Sequence, residues 1–398
     1  MKKRALSDKL LSLVERFPAL YIGGPRQSGK TTLARALFRN HTYVSLEDPD
    51  QREFAGSDPR GFLARFSGGV VLDEVQRVPA LFSYLQGFID RDRTPGRFIL
   101  TGSQQFLMMK SISQSLAGRV AIVHLLPFSL SELLETAPSD VNRFDQIPPP
   151  RDAPPFTLEW ILRQGLYPAI HDMQIEVTDW MSSYYRTYVE RDVRDTLAVG
   201  DLETFSRFIR LCAGRSGQIL NLSSLGADAG VSHTTARRWI SVLSASGLIY
   251  LLQPHHSNFS KRLIKSPKLY FLDTGLLCYL LRITRDEDVV THPLRGSIFE
   301  TFILTEIFKA FSHAGLEPPL FFWRDHTGHE IDLIIDLGRH LIPLEIKSGS
   351  TIAGDFSAPF EYWLGLPGNR QKNGVLVYGG QEAYIRNRFV VRPWYGCS

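Results

Sequence analysis

The chain has 398 residues, of which 43% are apolar and 22% charged, with a net charge of +4. That is enough chain for two or three domains with ample cores, and the composition fits an ordinary folded protein. The mild positive charge permits nucleic-acid contact without arguing for it, since a binding face needs clustered charge. The three cysteines, Cys212, Cys278 and Cys397, are isolated and odd in number, which suggests neither a disulfide framework nor a zinc site and favours a reducing cytosol.

In chain order, "MKKRALSDKLLSLVERF" is not a signal peptide, because Asp8, Lys9, Glu15 and Arg16 break its apolar stretch. Leu6, Leu10, Leu13 and Val14 form a helical stripe instead. No apolar run is long enough to span a bilayer, so no membrane partner is expected and a cytoplasmic location is. Strands then alternate with helices: "ALYIGG", "HTYVSLED", "GGVVLDEVQ", "GRFILTGS" and "VAIVHLLPFS" are strands, and "KTTLARALF" is a helix. This alternation predicts a parallel α/β sheet over residues 1–136.

"GGPRQSGKT" lies between the first strand and the first helix of that pattern. Gly24 and Gly29 bracket four residues, Pro25, Arg26, Gln27 and Ser28, and Lys30, Thr31 and Thr32 follow. Glycines permit a tight loop whose N–H groups converge on phosphate oxygens, and the helix N-terminus adds partial positive charge. Lys30 is expected on the β- and γ-phosphates of ATP, and the Thr31 hydroxyl on Mg²⁺. About forty residues on, "VVLDEVQ" ends an apolar strand in Asp73, placed to hold the magnesium shell, and Glu74, placed to polarise the attacking water. "FILTGS" ends a further strand in Thr101 and Ser103, where a polar group can sense the γ-phosphate. Arg119 in "SLAGRV" either stabilises transition-state charge, in its own subunit or across an interface, or pairs with a surface acid.

"APSDVNRFDQIPPPRDAPPF", residues 137–156, is a proline-rich linker or surface excursion. Residues 157–217 read as a helical connector, including a helix through "MSSYYRTYVERDVRDTL". There Tyr188 shares a face with Asp192, and Glu190 with Arg194, while Arg191 is free to reach a nucleotide in a neighbouring subunit; a salt-bridged connector is the simpler reading. Residues 218–290 read as helix, turn, helix and two strands, as in a winged helix. Ser223 or Ser224 starts its first helix, Gly230 sits in the turn, and Ser232 caps a second helix carrying Arg237, Arg238 and Trp239, placed to touch DNA. His255, His256, Lys261, Arg262, Lys265 and Lys268 form a basic, wing-like stretch suited to backbone phosphates. Residues 291–398 begin with an amphipathic helix and continue strand-rich. "EIDLIIDLGRHLIPLEIKS" reads as an apolar hairpin in which Glu345 and Lys347 point to one face. His326 and His329 flank a glycine turn and read as surface residues.

Together, "GGPRQSGKTTLA", "VVLDEVQ", "LTGSQ" and "SLAGRV" resemble the AAA-type ATPases of bacteria and archaea that precede a C-terminal domain of unknown function. "YYRTYVERDVRD", "KSPKLYFLDTGL", "GSIFETFILTEI" and the hairpin resemble that second domain. The resemblance implies an ATPase core, a winged-helix middle and a C-terminal α/β fold like restriction endonucleases. In such nucleases an acid on one strand and acid-x-lysine on the next hold Mg²⁺; the matching residues are Asp332, Glu345 and Lys347, with Glu300 as an acid from the preceding helix. Ile331 stands where the usual pattern has proline. The alternative is an inactive nuclease fold whose acids form a buried ion-pair network. The expected partners are ATP, DNA and a second copy of the chain.

Overall fold

The computed structural model describes residues 2–103, 116–147, 152–188, 201–255, 265–338, 340–354 and 356–397. Glu190, Arg191, Asp192, Arg194, His256, Lys261 and Arg262 lie outside them. Contacts divide the chain into two compact units. One is Met1–Phe128 with Ala245–Gly247 and Ser312–Leu316; the other is Ser129–Ser244, Leu248–Phe311 and Glu317–Ser398.

In the first unit, strands β1 (Ala19–Gly24), β2 (Thr42–Ser45), β3 (Val70–Asp73), β4 (Phe98–Ser103) and β5 (Val120–His124) form one sheet. Its order is β2-β3-β4-β1-β5 and every pair is parallel, as the alternating pattern predicts. Because side chains alternate along a strand, the sheet feeds two separate cores. Tyr21, Leu72 and Leu100 pack on one face with Phe62 and Leu85 from the helices Pro59–Ala64 and Leu81–Arg91. Leu20, Ile22, Val71 and Ile99 pack on the other with Leu10 and Leu33 from the helices Ser7–Val14 and Lys30–Leu37. Parallel strands all present their carboxyl ends at one edge, so Gly24, Asp73 and Ser103 end on the same side of the sheet.

The second unit holds a nine-stranded sheet of order β13-β14-β12-β11-β10-β9-β7-β8-β6. Its strands are β6 (Gln218–Ile219), β7 (Ile249–Pro254), β8 (Lys268–Phe271), β9 (Leu320–Arg324), β10 (Glu330–Asp336), β11 (Leu341–Lys347), β12 (Gly374–Tyr378), β13 (Tyr384–Arg386) and β14 (Phe389–Pro393). Two parallel residue pairs between β7 and β9 join the strands that follow the helix-turn-helix to the rest. Trp363, Phe360 and Trp323 anchor a core between β10, β12, β14 and the helix Ala358–Leu364.

The helix-turn-helix consists of Leu222–Ala229 and His233–Ala245, with Gly230 left-handed at φ 76°. Its first cap is Asn221, whose side chain accepts from the Ser224 N–H, rather than Ser223 or Ser224. Ser232 accepts from the Thr235 N–H, as a cap should. Arg237 and Arg238 are exposed. Trp239 is not a DNA-reading residue: it is 5% exposed and meets Phe205 and Phe208 edge-on at 5.2 and 5.0 Å. The large apolar ring fills the seam with the helix Leu202–Ala213, where an indole stabilises more than it would in water.

Part of the proline-rich segment is a tied-down excursion. Val141 and Phe144 are buried, and the Arg392 guanidinium donates to the Phe144 carbonyl while stacking over its ring at 4.1 Å. Among the described residues no helix is long and apolar enough to cross a membrane. Trp239→Ala is expected to destabilise the second unit by about 3–5 kcal/mol through the cavity it leaves; a denaturant melt with no shift would show that the ring is not a packing anchor.

Candidate functional site

The phosphate loop is shaped by close backbone approach. A Cβ on Gly24 would lie 2.1 Å from the Leu125 carbonyl oxygen, so only glycine fits against the exit of β5. Gln27 and Gly29 take φ of 64° and 93°, which turns the chain into the helix at Lys30. Arg4, 3% exposed, donates to the carbonyls of Ser28 at 2.8 Å and Leu126 at 2.6 Å, tying the loop to the segment after β5. The Lys30 ammonium folds back on the carbonyls of Gly24 and Pro25, at 3.2 and 2.8 Å. Burial lowers the Lys30 pKa to about 8, against the pull of Glu74 and Asp73. Pro25 is buried, Arg26 is paired with Glu47 at 3.8 Å, and Gln27 and Thr32 are exposed.

Asp73 is the centre of the site. Thr31 donates to both its oxygens at 2.9 and 3.0 Å, Tyr43 to Oδ2 at 2.8 Å, and Thr101 to Oδ1. The carboxylate is 5% exposed and all three of these partners are neutral hydroxyls. Burial and the bond to Asp73 push the Tyr43 phenol up to about 12, so it remains a donor. Glu74 follows at φ 56°, a left-handed conformation that is strained for a side-chain-bearing residue. Burial raises its carboxyl above the ordinary range. Gln76 donates both to Glu74 and to the Ser103 hydroxyl, the latter at 2.9 Å. Arg4 and Tyr43 carry no motif signature, and Gln76 stands inside the quoted "VVLDEVQ" without a role being read for it; only the pairing of strands reveals what the three do.

The residues fit nucleotide and magnesium. Among the described residues the buried Ser28 hydroxyl has no hydrogen-bond partner, and it sits inside the loop that would take phosphate. A carboxylate and a hydroxyl are the hard oxygen donors that magnesium takes, in a site with few protein ligands. Arg119 lies elsewhere. It makes a two-pronged pair with Asp90 at 2.6 and 3.0 Å. The register sets Val120 beside Ala19, so Arg119 stands at the far edge of the sheet, roughly 20 Å of strand from Gly24.

The second constellation lies wholly in the second unit. Leu333 pairs with Leu344 in the antiparallel β10–β11 ladder, so Asp332 comes opposite Glu345 one step further on. A register irregularity between Ile331 and Ile334 re-aims Asp332, whose Oδ2 accepts from the Ile346 N–H at 2.8 Å. Lys347 pairs with Glu345 at 2.8 Å and Asp332 at 3.8 Å. Glu300, on the helix Arg295–His313, accepts from Lys268 at 3.1 Å and from the Tyr270 hydroxyl. Lys268 also pairs with Glu330, which in turn meets Arg324 at 3.0 Å.

Two residues expected on a basic wing are thus interior. Lys268 is 3% exposed within this cluster, and His255 is 7% exposed with its Nε2 3.2 Å from Asp336. Strand pairing turned both inward; of that stretch, Lys265 is exposed. His329 stacks on Tyr362 at 3.5 Å and His326 is exposed, as surface residues would be. Burial, then Asp332, raises Glu345 to about 8; burial, against Lys268, raises Glu300 to about 7. Burial opposes the charge of Lys347, yet Asp332 and Glu345 hold it above its ordinary value.

Three family models match in series: an AAA domain over residues 16–134, a domain of unknown function (DUF8612) over 156–287, and another (DUF4143) over 295–395. The first makes the N-terminal unit a P-loop ATPase domain of AAA type. The chain is 31% identical over 356 residues to the uncharacterized proteins Mb2031c of Mycobacterium bovis and Rv2008c of Mycobacterium tuberculosis, an alignment spanning 88% of this chain and 75% of each relative. Among solved structures it is similar to the Walker-type ATPase PABY2304 of Pyrococcus abyssi, at 17% identity and a TM-score of 0.41 over 69% of this chain and 94% of that one.

The raised carboxyls make stability depend on pH. Folding favours their protonated forms, so this contribution is complete below the ordinary glutamate range and is lost as pH rises through about 7 and about 8. The melting midpoint of the second unit is expected to fall between pH 5 and 8.5. Glu345→Gln should flatten that slope by up to about 1.4 kcal/mol per pH unit; an unchanged slope would show that Glu345 is ionised throughout.

Proposed function

We infer that this chain, which belongs to the family of AAA-domain proteins represented by Rv2008c of Mycobacterium tuberculosis, is a Mg²⁺-dependent ATPase whose nucleotide state controls a DNA-binding C-terminal half. The observation that carries the reading is Asp73 held by Thr31, Tyr43 and Thr101 beside a glycine-bracketed loop. Neutral donors fix the carboxylate's position and leave its charge in place for a cation. In this reading Thr31 and Asp73 hold the magnesium, which when bound neutralises developing phosphate charge. Lys30 leaves the loop carbonyls for the phosphates. Glu74, kept in line by Gln76, takes the proton of the attacking water, and Ser103 reports the γ-phosphate through the same glutamine. Arg119, out of reach of its own phosphate loop, either serves as the surface ion pair with Asp90 or acts on the nucleotide of a neighbouring copy.

DNA contact falls to Arg237, Arg238 and Lys265, the exposed basic residues of the winged-helix reading. Asp332, Glu345, Lys347 and Glu300 form the restriction-endonuclease-like site for phosphodiester cleavage. Glu345 favours a cation there: its Oε1 is buried and has no hydrogen-bond partner among the described residues. A second reading, a nucleotide-dependent assembly switch with an inactive nuclease fold, is favoured by one observation: Lys268 already pairs with Glu300 and Glu330.

Glu74→Gln is expected to bind ATP and lose 10²–10⁴-fold in turnover, as removal of a general base does, while Lys30→Ala loses binding as well. Near-native turnover in Glu74→Gln would remove that residue from the chemistry. Cleavage of plasmid or single-stranded DNA, with and without ATP, separates the two readings. Activity that disappears in both Asp332→Ala and Lys347→Ala belongs to the first; intact ATP turnover with no cleavage under any divalent metal selects the switch.

A further inference from the structure

Lys268 stands out among the buried charges of the second unit. It comes from β8, outside the hairpin and the helix that supply the acids, and reaches two of the carboxylates. It is 3% exposed, with its ammonium 5.6 Å from the centre of the Phe322 ring. Tyr270, two residues along the same strand, donates to the same Glu300 oxygen. One ammonium and one hydroxyl, both from β8, thus sit on Glu300, and with the acids engaged in this way no group of three or more His, Cys, Asp or Glu among the described residues is placed to hold a metal.

Charge counting shows what this does. Glu300, Glu330, Asp332 and Glu345 bring four carboxyl groups together, and Lys268 and Lys347 bring two ammoniums, with Arg324 on the outer side of Glu330. Lys347 faces Asp332 and Glu345 and is half-exposed, so it can swing to solvent. Lys268 cannot, because its whole side chain is enclosed. A hard divalent ion and a buried ammonium satisfy the same oxygens, and the two repel each other at contact distance.

We propose that Lys268 is a resident cation of this carboxylate site, and that its ammonium and a divalent metal compete for Glu300, the acid of the site that Lys268 holds. The native chain therefore binds metal weakly at this site and binds it readily once Lys268 is neutralised. This rests on the reading of the cluster as a metal site and adds what regulates its occupancy.

The test is titration of the nucleotide-free full chain with Mn²⁺, followed by electron paramagnetic resonance and by thermal shift. The contribution of the phosphate-loop site is common to all variants and is subtracted. Lys268→Met is expected to gain at least ten-fold in Mn²⁺ affinity at one site, to gain thermal stability on adding Mn²⁺, and to lose both when Asp332→Asn is added. Where Lys268→Met fails to fold, Lys268→Gln, which keeps a donor for Glu300, takes its place. Equal Mn²⁺ affinity in the native chain and the Lys268 variants, removed in both by Asp332→Asn, overturns the competition and leaves the metal site standing. Absence of this site from native and variant chains alike overturns the metal reading and the proposal with it.

Discussion

A carboxylate taken out of water has to be given partners, and the choice of partner decides what the site can still do. Asp73 is given hydroxyl groups from Thr31, Tyr43 and Thr101. They satisfy its lone pairs and cancel none of its charge, so the position is stable and still attracts a cation. Glu300 and Glu330 are given an ammonium. That choice satisfies the same need and removes the attraction. The two halves of the chain thus solve one physical problem in opposite ways.

Both solutions depend on strand geometry. In the parallel sheet, β1, β3 and β4 end at one edge, and the two-residue repeat sends Thr101 toward Asp73 and Ser103 toward Gln76. The phosphate loop is held at that edge by a glycine too small to be pushed away and by a buried arginine that ties it down. In the other unit the hairpin sets Asp332 across from Glu345, and the irregularity before Ile334 turns Asp332 onto the Ile346 amide.

The parts legible in the sequence were those encoded within a few residues of each other. The five strands of the first sheet, the glycine-bracketed loop, the acids ending β3 and the Ser232 cap all follow from local period or local chemistry. The misread residues were those whose environment is made by distant strands. Lys268 and His255 look like members of a basic stretch, because the sequence records their charge and not the β7–β8 pairing that turns Lys268 inward or the approach of β9 and β10 that encloses His255. Trp239 adjoins two exposed arginines and faces the opposite way on its helix. Arg4 and Tyr43 were missed for the same reason, since each acts on a group far along the chain; Gln76 lies in a quoted motif, and its local bond to Glu74 was readable while its bond to Ser103 was not.

The cost of moving Lys268 is set by the ladder that carries it. β8 is hydrogen-bonded to β7 over four residue pairs, and β9 to β10 on the other side of the seam, so each pair of strands is a firm body. Between β7 and β9 only two pairs are made, Gln253 with Phe321 and Pro254 with Phe322, and proline brings no amide donor to the ladder. The His255 amide adds one bond to Phe322, at 2.7 Å. Lys268 and Tyr270 lie on one side of this narrow seam and Glu330 and Asp332 on the other. A rotamer change cannot free an ammonium whose stem is enclosed, and the helix carrying Glu300 is tied to the same side of the seam, Thr301 to Ser216 at 3.0 Å and Phe308 against Tyr250 at 4.7 Å, so of the two acids on Lys268 only Glu330 is held across it. The helix that carries the exposed Arg237 and Arg238 runs into β7 through Gly247 and Leu248, so the strand pair that holds the cation is its direct continuation in the chain.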